Sequence, residues 1–149
     1  TITIKPHIYK AIDFIFRIIV FVYRIVTTTE PHIAVTPYSP LAAGFLTGKY
    51  RVGEPIPEGT RLSGNARAQE RALTERNFGI LSNLEEFARE KGYPMVELAI
   101  NWLLADECVS SVIAGATNIE QVKANSKAAD WRLSKGDKEE VDAILTSAA

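Results

Sequence analysis

The stretch "SVIAGATNIEQVKAN", residues 111–125, sets small and polar residues where a chain changes direction. Its apolar run Ser111 to Ala114 stops at Gly115-Ala116-Thr117-Asn118, and Asn118 with Gln121 three residues later has the form of a helix N-cap and capping box. A strand that ends in such a turn and opens a helix leaves backbone N–H groups without intrahelical acceptors, all aimed at one spot. That arrangement suits a phosphate or another anion. An ordinary capped helix explains Asn118 and Gln121 equally well, but gives no use for Gly115 or Thr117. A second stretch, "TPYSPLAAGFLTGKY" at 36–50, presents Tyr38-Ser39-Pro40 after the short run Ile33 to Pro37 and ends in a glycine turn followed by Lys49.

The elements that would position these residues are legible in the periodicity. Ile33 to Pro37, ending at a proline, suits a buried strand that terminates in a loop. Val52 to Asn65 reads as a long loop rich in Gly and Pro, and loops of that length are commonly functional. Apolar residues at 78, 81, 84, 87 and 88 predict a helix over Arg76 to Lys91 with Gly92 as its terminator. Pro94 suits the first turn of a second helix that turns Met95, Leu98, Ala99, Trp102 and Leu103 inward. A strand around Ser111 to Ala114 and a helix from Asn118 follow. The last helix, after Ser134, sets Asp137, Glu139 and Glu140 near its positive end and Val141, Ile144 and Leu145 inward. Strands separated by helices imply an α/β fold of parallel β/α units. Two such units are a fraction of a β/α barrel of about 250 residues, whose sites lie at the C-terminal ends of the strands.

Composition narrows the functions. With 149 residues, 46% hydrophobic and 23% charged, the chain can bury a core as one soluble domain. A formal net charge of −1 excludes the broad positive footprint expected for nucleic acid or anionic lipid. A lone Cys108 cannot form an internal disulfide, and His7 and His32 complete no zinc-ligand pattern, so a reducing, cytoplasmic compartment and no metal are expected. The run Ala11 to Val26 is the most apolar part. It is shorter than the roughly 20 residues of a membrane span and carries Asp13, Arg17 and Arg24, so no membrane span is expected. As a helix it would set positions 13, 17, 20 and 24 on one face, and as a strand its Ile, Val and Phe content fits equally.

Taken together, "VTPYSPLAAGFLTGKY" (35–50), "GTR" (59–61), "AINWLLADECVSSVIAGATNIEQVKAN" (99–125) and "WRLSKGDKEEVDAIL" (131–145) resemble the C-terminal half of an aldo-keto reductase, from about His32 onward. The resemblance implies the C-terminal part of a (β/α)8 TIM barrel, with Ile33–Pro37 as strand seven and Ser111–Ala114 as strand eight. It also implies hydride transfer between NADP(H) and carbonyl compounds or alcohols. Residues 1–31 do not resemble the family, so the expectation is a truncated, incomplete barrel of residues 32–149 behind an unrelated apolar N-terminal segment.

Position by position, the resemblance makes Tyr38 the ring that stacks on the nicotinamide and Ser39, Pro40 and Leu41 a backbone track along the cofactor. A flat ring on one face of the nicotinamide leaves only the other face to react. Leu46, Gly48 and Lys49 fall where the family wraps the pyrophosphate, with Arg61 as a further cation. Gly115, Thr117, Gln121 and Asn125 match the residues that hold the adenosine end. Many members carry a lysine and an arginine where this chain has Gly115 and Gln121. The family's catalytic tetrad of Tyr, Lys, Asp and His has no match: Asp13 is not followed by a tyrosine at the family's spacing, Tyr9-Lys10 lacks the surrounding motif, and His7 and His32 have no strand-end context. The expected function is therefore the cofactor-binding half of a reductase, without catalytic residues. The alternative is a non-catalytic nucleotide-binding or protein-interaction module, and open barrel edges would favour self-association or a partner chain.

Overall fold

A computed structural model describes residues 25–26, 33–34, 36–107 and 109–147. Cys108, both histidines, Asp13, Tyr9 and the apolar run Ala11 to Val26, apart from its last two residues, lie outside the described residues. Four of the five described helices fall where the apolar period and the caps place them. Helix α1 is Ala66–Ala72, α2 Glu75–Lys91, α3 Met95–Leu104, α4 Ile119–Lys127 and α5 Lys135–Ser147. Helix α2 buries Ile80, Leu81, Leu84, Phe87 and Ala88 along one stripe, with Phe78 only half-buried. Gly92 caps it, and the Tyr93 N–H reaches back to the Ala88 carbonyl at 2.7 Å, which closes the last turn. Helix α2 packs between α5 and α3, and α3 packs between α2 and α4.

Three local features differ from expectation. Helix α1 has no apolar period to announce it, since only Ala72 of its seven residues is buried. It is held by caps: Asn65 accepts the Ala68 N–H, and the Asn77 amide donates to the Arg71 and Ala72 carbonyls at 3.0 and 2.9 Å. Pro94 is the N-cap of α3 and lies outside its first turn, because its ψ of 136° is extended and the first helical bond runs from the Leu98 N–H to its carbonyl. Helix α4 buries no residue at all.

The strands are the larger correction. The expected strand Ile33–Pro37 is reduced to β2, Ile33–Ala34, which pairs antiparallel with β1, Ile25–Val26. Of the expected strand Ser111–Ala114 only Ile113 pairs, through one parallel bridge to Tyr38. Pro37 has no N–H, so it can join a ladder only through its carbonyl, which accepts the Ile113 N–H at 2.9 Å. The described residues are therefore mostly helical, and the parallel pairing of the two motif segments survives as a single contact.

Candidate functional site

That contact joins the two motif segments. From it, residues 38–50 lead one way and residues 113–125 the other. Tyr38 sits at the junction with 42% of its surface exposed, opposite an exposed Ile113.

Residues 39–48 form a tight turn pinned from beneath. Phe45 is fully buried against Phe78, with ring centroids 5.4 Å apart, while Ala42, Leu46 and Tyr50 are buried beside it in the core. The Tyr50 hydroxyl donates to the Ala43 carbonyl at 3.2 Å and the Thr47 hydroxyl to the Gly44 carbonyl at 2.8 Å. Around these anchors the backbone takes left-handed angles at Ser39 (φ 59°), Ala42 (47°) and Ala43 (58°), none of them glycine. Such residues are costly and persist where the surrounding packing holds them.

The glycines of the turn admit long side chains against the backbone. A Cβ at Gly44, whose φ is 90°, would lie 2.7 Å from Lys49 Cε and 2.8 Å from its Nζ, so the lysine stem lies directly over Gly44. A Cβ at Gly48 would lie 2.6 Å from a Glu85 carboxylate oxygen and 3.1 Å from an Arg51 guanidinium nitrogen. Arg51 and Glu85 form a two-pronged pair at 3.0 and 3.1 Å, which raises the guanidinium above its ordinary value through the hydrogen bonds to Glu85. Lys49 makes no ion pair among the described residues.

On the other side, Asn118 caps α4 by accepting the Gln121 N–H at 2.9 Å. The Gln121 side chain reaches one residue beyond the usual box. Its oxygen accepts the Thr117 N–H at 2.7 Å and the Thr117 hydroxyl at 3.1 Å, and Asn125 donates to the Gly115 carbonyl at 3.3 Å. The loop before α4 is thus held rigid by the same residues expected to hold a ligand. The exposed amides of Ile119 and Glu120 lie in the first turn of α4, ahead of any intrahelical acceptor.

Arg61 bridges the two sides. Buried Leu62 anchors the loop, its carbonyl accepting from Gln69 at 2.7 Å. That leaves Arg61 exposed, with a guanidinium nitrogen 3.2 Å from where a Cβ of Gly115 would sit.

The rim of the two motif segments thus holds Arg61 beside Gly115, Asn125 bonded to the Gly115 carbonyl, Gln121 bonded to Thr117 and Tyr38 bridged to Ile113, with Lys49 over Gly44 inside its own turn. The structure places Pro40 and Leu46 in the interior, so that only their backbone can face the rim, and leaves Ser39 and Leu41 half-buried. Sequence reasoning missed Gly44, Tyr50 and Glu85. The first two stand inside the quoted motif and were open to inspection. Glu85 is 34 residues from Arg51 on a different element, and no local pattern signals the pair. Among the described residues no three His, Cys, Asp or Glu side chains could hold a metal ion, and no helix is long and apolar enough to cross a membrane.

Comparison with known proteins bears on the family. A sequence model of the aldo/keto reductase family matches residues 25–146. An L-glyceraldehyde 3-phosphate reductase of Escherichia coli O157:H7 is 43% identical over 95 residues, covering 61% of this chain and 27% of that protein. A probable voltage-gated potassium channel subunit beta of Arabidopsis thaliana is 40% identical over 104 residues, covering 68% of this chain and 31% of that protein. Among solved structures, a glycerol dehydrogenase from Gluconobacter oxydans superposes with a TM-score of 0.64 at 25% identity, covering 80% of this chain and 36% of the other. The chain thus spans between a quarter and a third of the length of these curated relatives.

Proposed function

Since the chain belongs to the aldo/keto reductase family, whose fold is a (β/α)8 barrel, we propose that its rim binds NADP(H) as the cofactor side of a carbonyl-reducing oxidoreductase. The observation that carries this reading is the approach of Arg61 to Gly115. Position 115 offers no cation of its own, and a guanidinium from the 51–65 loop stands where one is needed for an adenosine phosphate. The remaining groups fit a dinucleotide in order. Tyr38 is 42% exposed, and Lys49 lies across Gly44 with no ion pair among the described residues. The Gln121 amide keeps its N–H₂ face outward while its oxygen holds Thr117.

Bound there, the dinucleotide would supply the hydride. Tyr38 orients and shields one face, Lys49 and the turn hold the diphosphate charge, and the loop before α4 meets the adenosine end without reorganising. Hydride delivery to a carbonyl also needs a proton donor, which general acid catalysis makes worth typically about 10²–10⁴-fold. None of the rim residues takes that part.

The test is a fluorescence titration with NADPH and with NADH. NADPH should bind the wild-type chain more tightly, and Arg61→Met should lose most of that difference while leaving NADH binding in place. Equal binding of the two nucleotides by the wild type would overturn the assignment of Arg61. The chain alone should not consume NADPH with aldehydes or ketones, whereas mixing with a separately made N-terminal half-barrel of a related reductase should restore turnover. Turnover by the chain alone would show a donor outside this reading.

A second reading, an interaction module, is favoured by one observation. Ile119 and Val122 are 72% and 56% exposed on α4, a helix that buries nothing, and Ile113 on the bridge segment before it is 57% exposed. Sedimentation at rising concentration tests it: a partner-binding chain associates through this face, and Val122→Glu should abolish the association.

A further inference from the structure

Two cations and one carboxylate crowd the exit of the 39–48 turn, and they are partitioned unevenly. Glu85 projects from α2 to within 2.6 Å of the Cβ position of Gly48. Lys49 is the next residue, its Cα about 3.8 Å further along the chain. A lysine stem of four methylenes covers the separation easily, so Glu85 is within reach of the Lys49 ammonium. Yet Glu85 binds Arg51 through both its oxygens at 3.0 and 3.1 Å, and Lys49 lies over Gly44 with no acidic partner among the described residues.

We infer that Arg51 guards Lys49: by occupying Glu85 it keeps that carboxylate from capturing the lysine, which stays available for the dinucleotide diphosphate. This rests on the proposed function, in which Lys49 faces that diphosphate. Arg51 holds both Glu85 oxygens from one guanidinium nitrogen, Nη1, while its Nη2 stands 3.1 Å from the Gly48 Cβ position, so the guanidinium fills the space between the carboxylate and the turn. The upward shift of the Arg51 guanidinium, caused first by its hydrogen bonds to Glu85 and to a smaller degree by Glu54, agrees with a pair that holds its charge.

A guard and a mere structural brace behave differently under substitution. A brace loses function when either partner is removed. A guard loses function only when the arginine goes and the glutamate stays. The experiment is NADPH titration by fluorescence on the full chain and on Lys49→Met, Arg51→Met, Arg51→Lys, Glu85→Gln and the Arg51→Met/Glu85→Gln pair, with urea midpoints measured in parallel.

Lys49→Met should weaken binding, and Arg51→Met should weaken it up to about fivefold, the range of an exposed ion pair. Glu85→Gln should bind as well as wild type or better. The double variant should return to wild-type affinity, and Arg51→Lys should retain most of it. Raising the salt should shrink the Arg51→Met defect. Equal affinity of Arg51→Met and wild type, with Lys49→Met impaired, overturns the guard while leaving the cofactor reading intact. Losses in both Arg51→Met and Glu85→Gln that the double variant does not repair convert the pair into a brace. No NADPH binding by wild type removes the underlying reading and the guard with it, whereas binding unchanged in Lys49→Met overturns the guard by taking Lys49 out of the site.

Discussion

The outer helical face and the rim handle polar groups in opposite ways. On the helical face a set of charges is answered across elements. Asp137 receives Lys91 at 2.7 Å and Ser134 at 2.7 Å, the Trp131 indole donates to Glu97 at 2.8 Å, and the Trp102 indole donates to Asp142 at 2.8 Å. Tyr93 stacks on Trp131 with centroids 4.2 Å apart, and Lys91 also meets Glu140 at 3.1 Å. These contacts tie α2, α3 and α5 together. On the rim, Lys49 and Arg61 have no ion pair among the described residues, three non-glycine residues are left-handed, and Tyr38 lies open. A surface with its valences closed stabilises the fold. On the rim the Thr117, Gln121 and Asn125 side chains close on their own loop, while the two cations keep no ion pair among the described residues, which suits an anionic ligand.

The largest expected effect comes from removing the anchor that joins the two regions. Phe45→Ala should cost about 3–5 kcal/mol in a urea melt, because the ring is fully buried and leaves a cavity under the turn. Cofactor affinity should fall with it. If the turn keeps its affinity when this anchor is lost, the rim is not shaped from beneath.

Next is Asn101, fully buried on α3, whose amide donates to the Ala128 carbonyl at 2.8 Å and to the Glu97 carbonyl at 3.2 Å. Asn101→Ala should cost about 1–3 kcal/mol, because the buried Ala128 carbonyl loses that donor. The native side chain is itself imperfect, since its own oxygen has no partner among the described residues. The rim should register little of this change, and NADPH affinity at a temperature where the variant is folded checks the separation.

A charge on the rim should do the reverse. Gln121→Glu keeps an acceptor for Thr117 but replaces the outward N–H₂ with negative charge, so NADPH affinity should fall about tenfold while the melt stays close to wild type. Unchanged affinity would take Gln121 out of the proposed site.

The smallest effect is electrostatic and confined to the helical face. Lys91 holds the Asp137 carboxyl below its ordinary range, helped by Ser134, and Asp137 in turn raises the Lys91 ammonium. A depressed carboxyl contributes stability above the ordinary carboxylate range and loses it as pH falls through its folded value. A raised ammonium contributes below the ordinary lysine range and loses it as pH rises through its folded value. Asp137→Asn should therefore flatten the acid limb of a plot of urea midpoint against pH, and should also lower the alkaline limb. An acid limb identical to wild type would remove Asp137 from the linkage.

The helical layer was written in local patterns. Apolar spacing on α2, α3 and α5, Asn118 three residues before Gln121 and Gly92 after Lys91 act over a few residues, where helical geometry is repetitive enough to read along the chain. The strands read less well. Val, Ile and Thr advertise extended backbone, but pairing depends on which neighbours are there, and Pro37 limits what reaches Ile113. The twelve residues of the proposed site were named from motifs that resemble a known family. That Arg61 stands beside Gly115, that Lys49 lies over Gly44, and that Glu85 on α2 is engaged by Arg51 were decided only by tertiary structure. Each joins residues from separate segments, or curls a long side chain back over its own turn. Such contacts are selected by where the packed core puts the backbone, which no window of sequence contains.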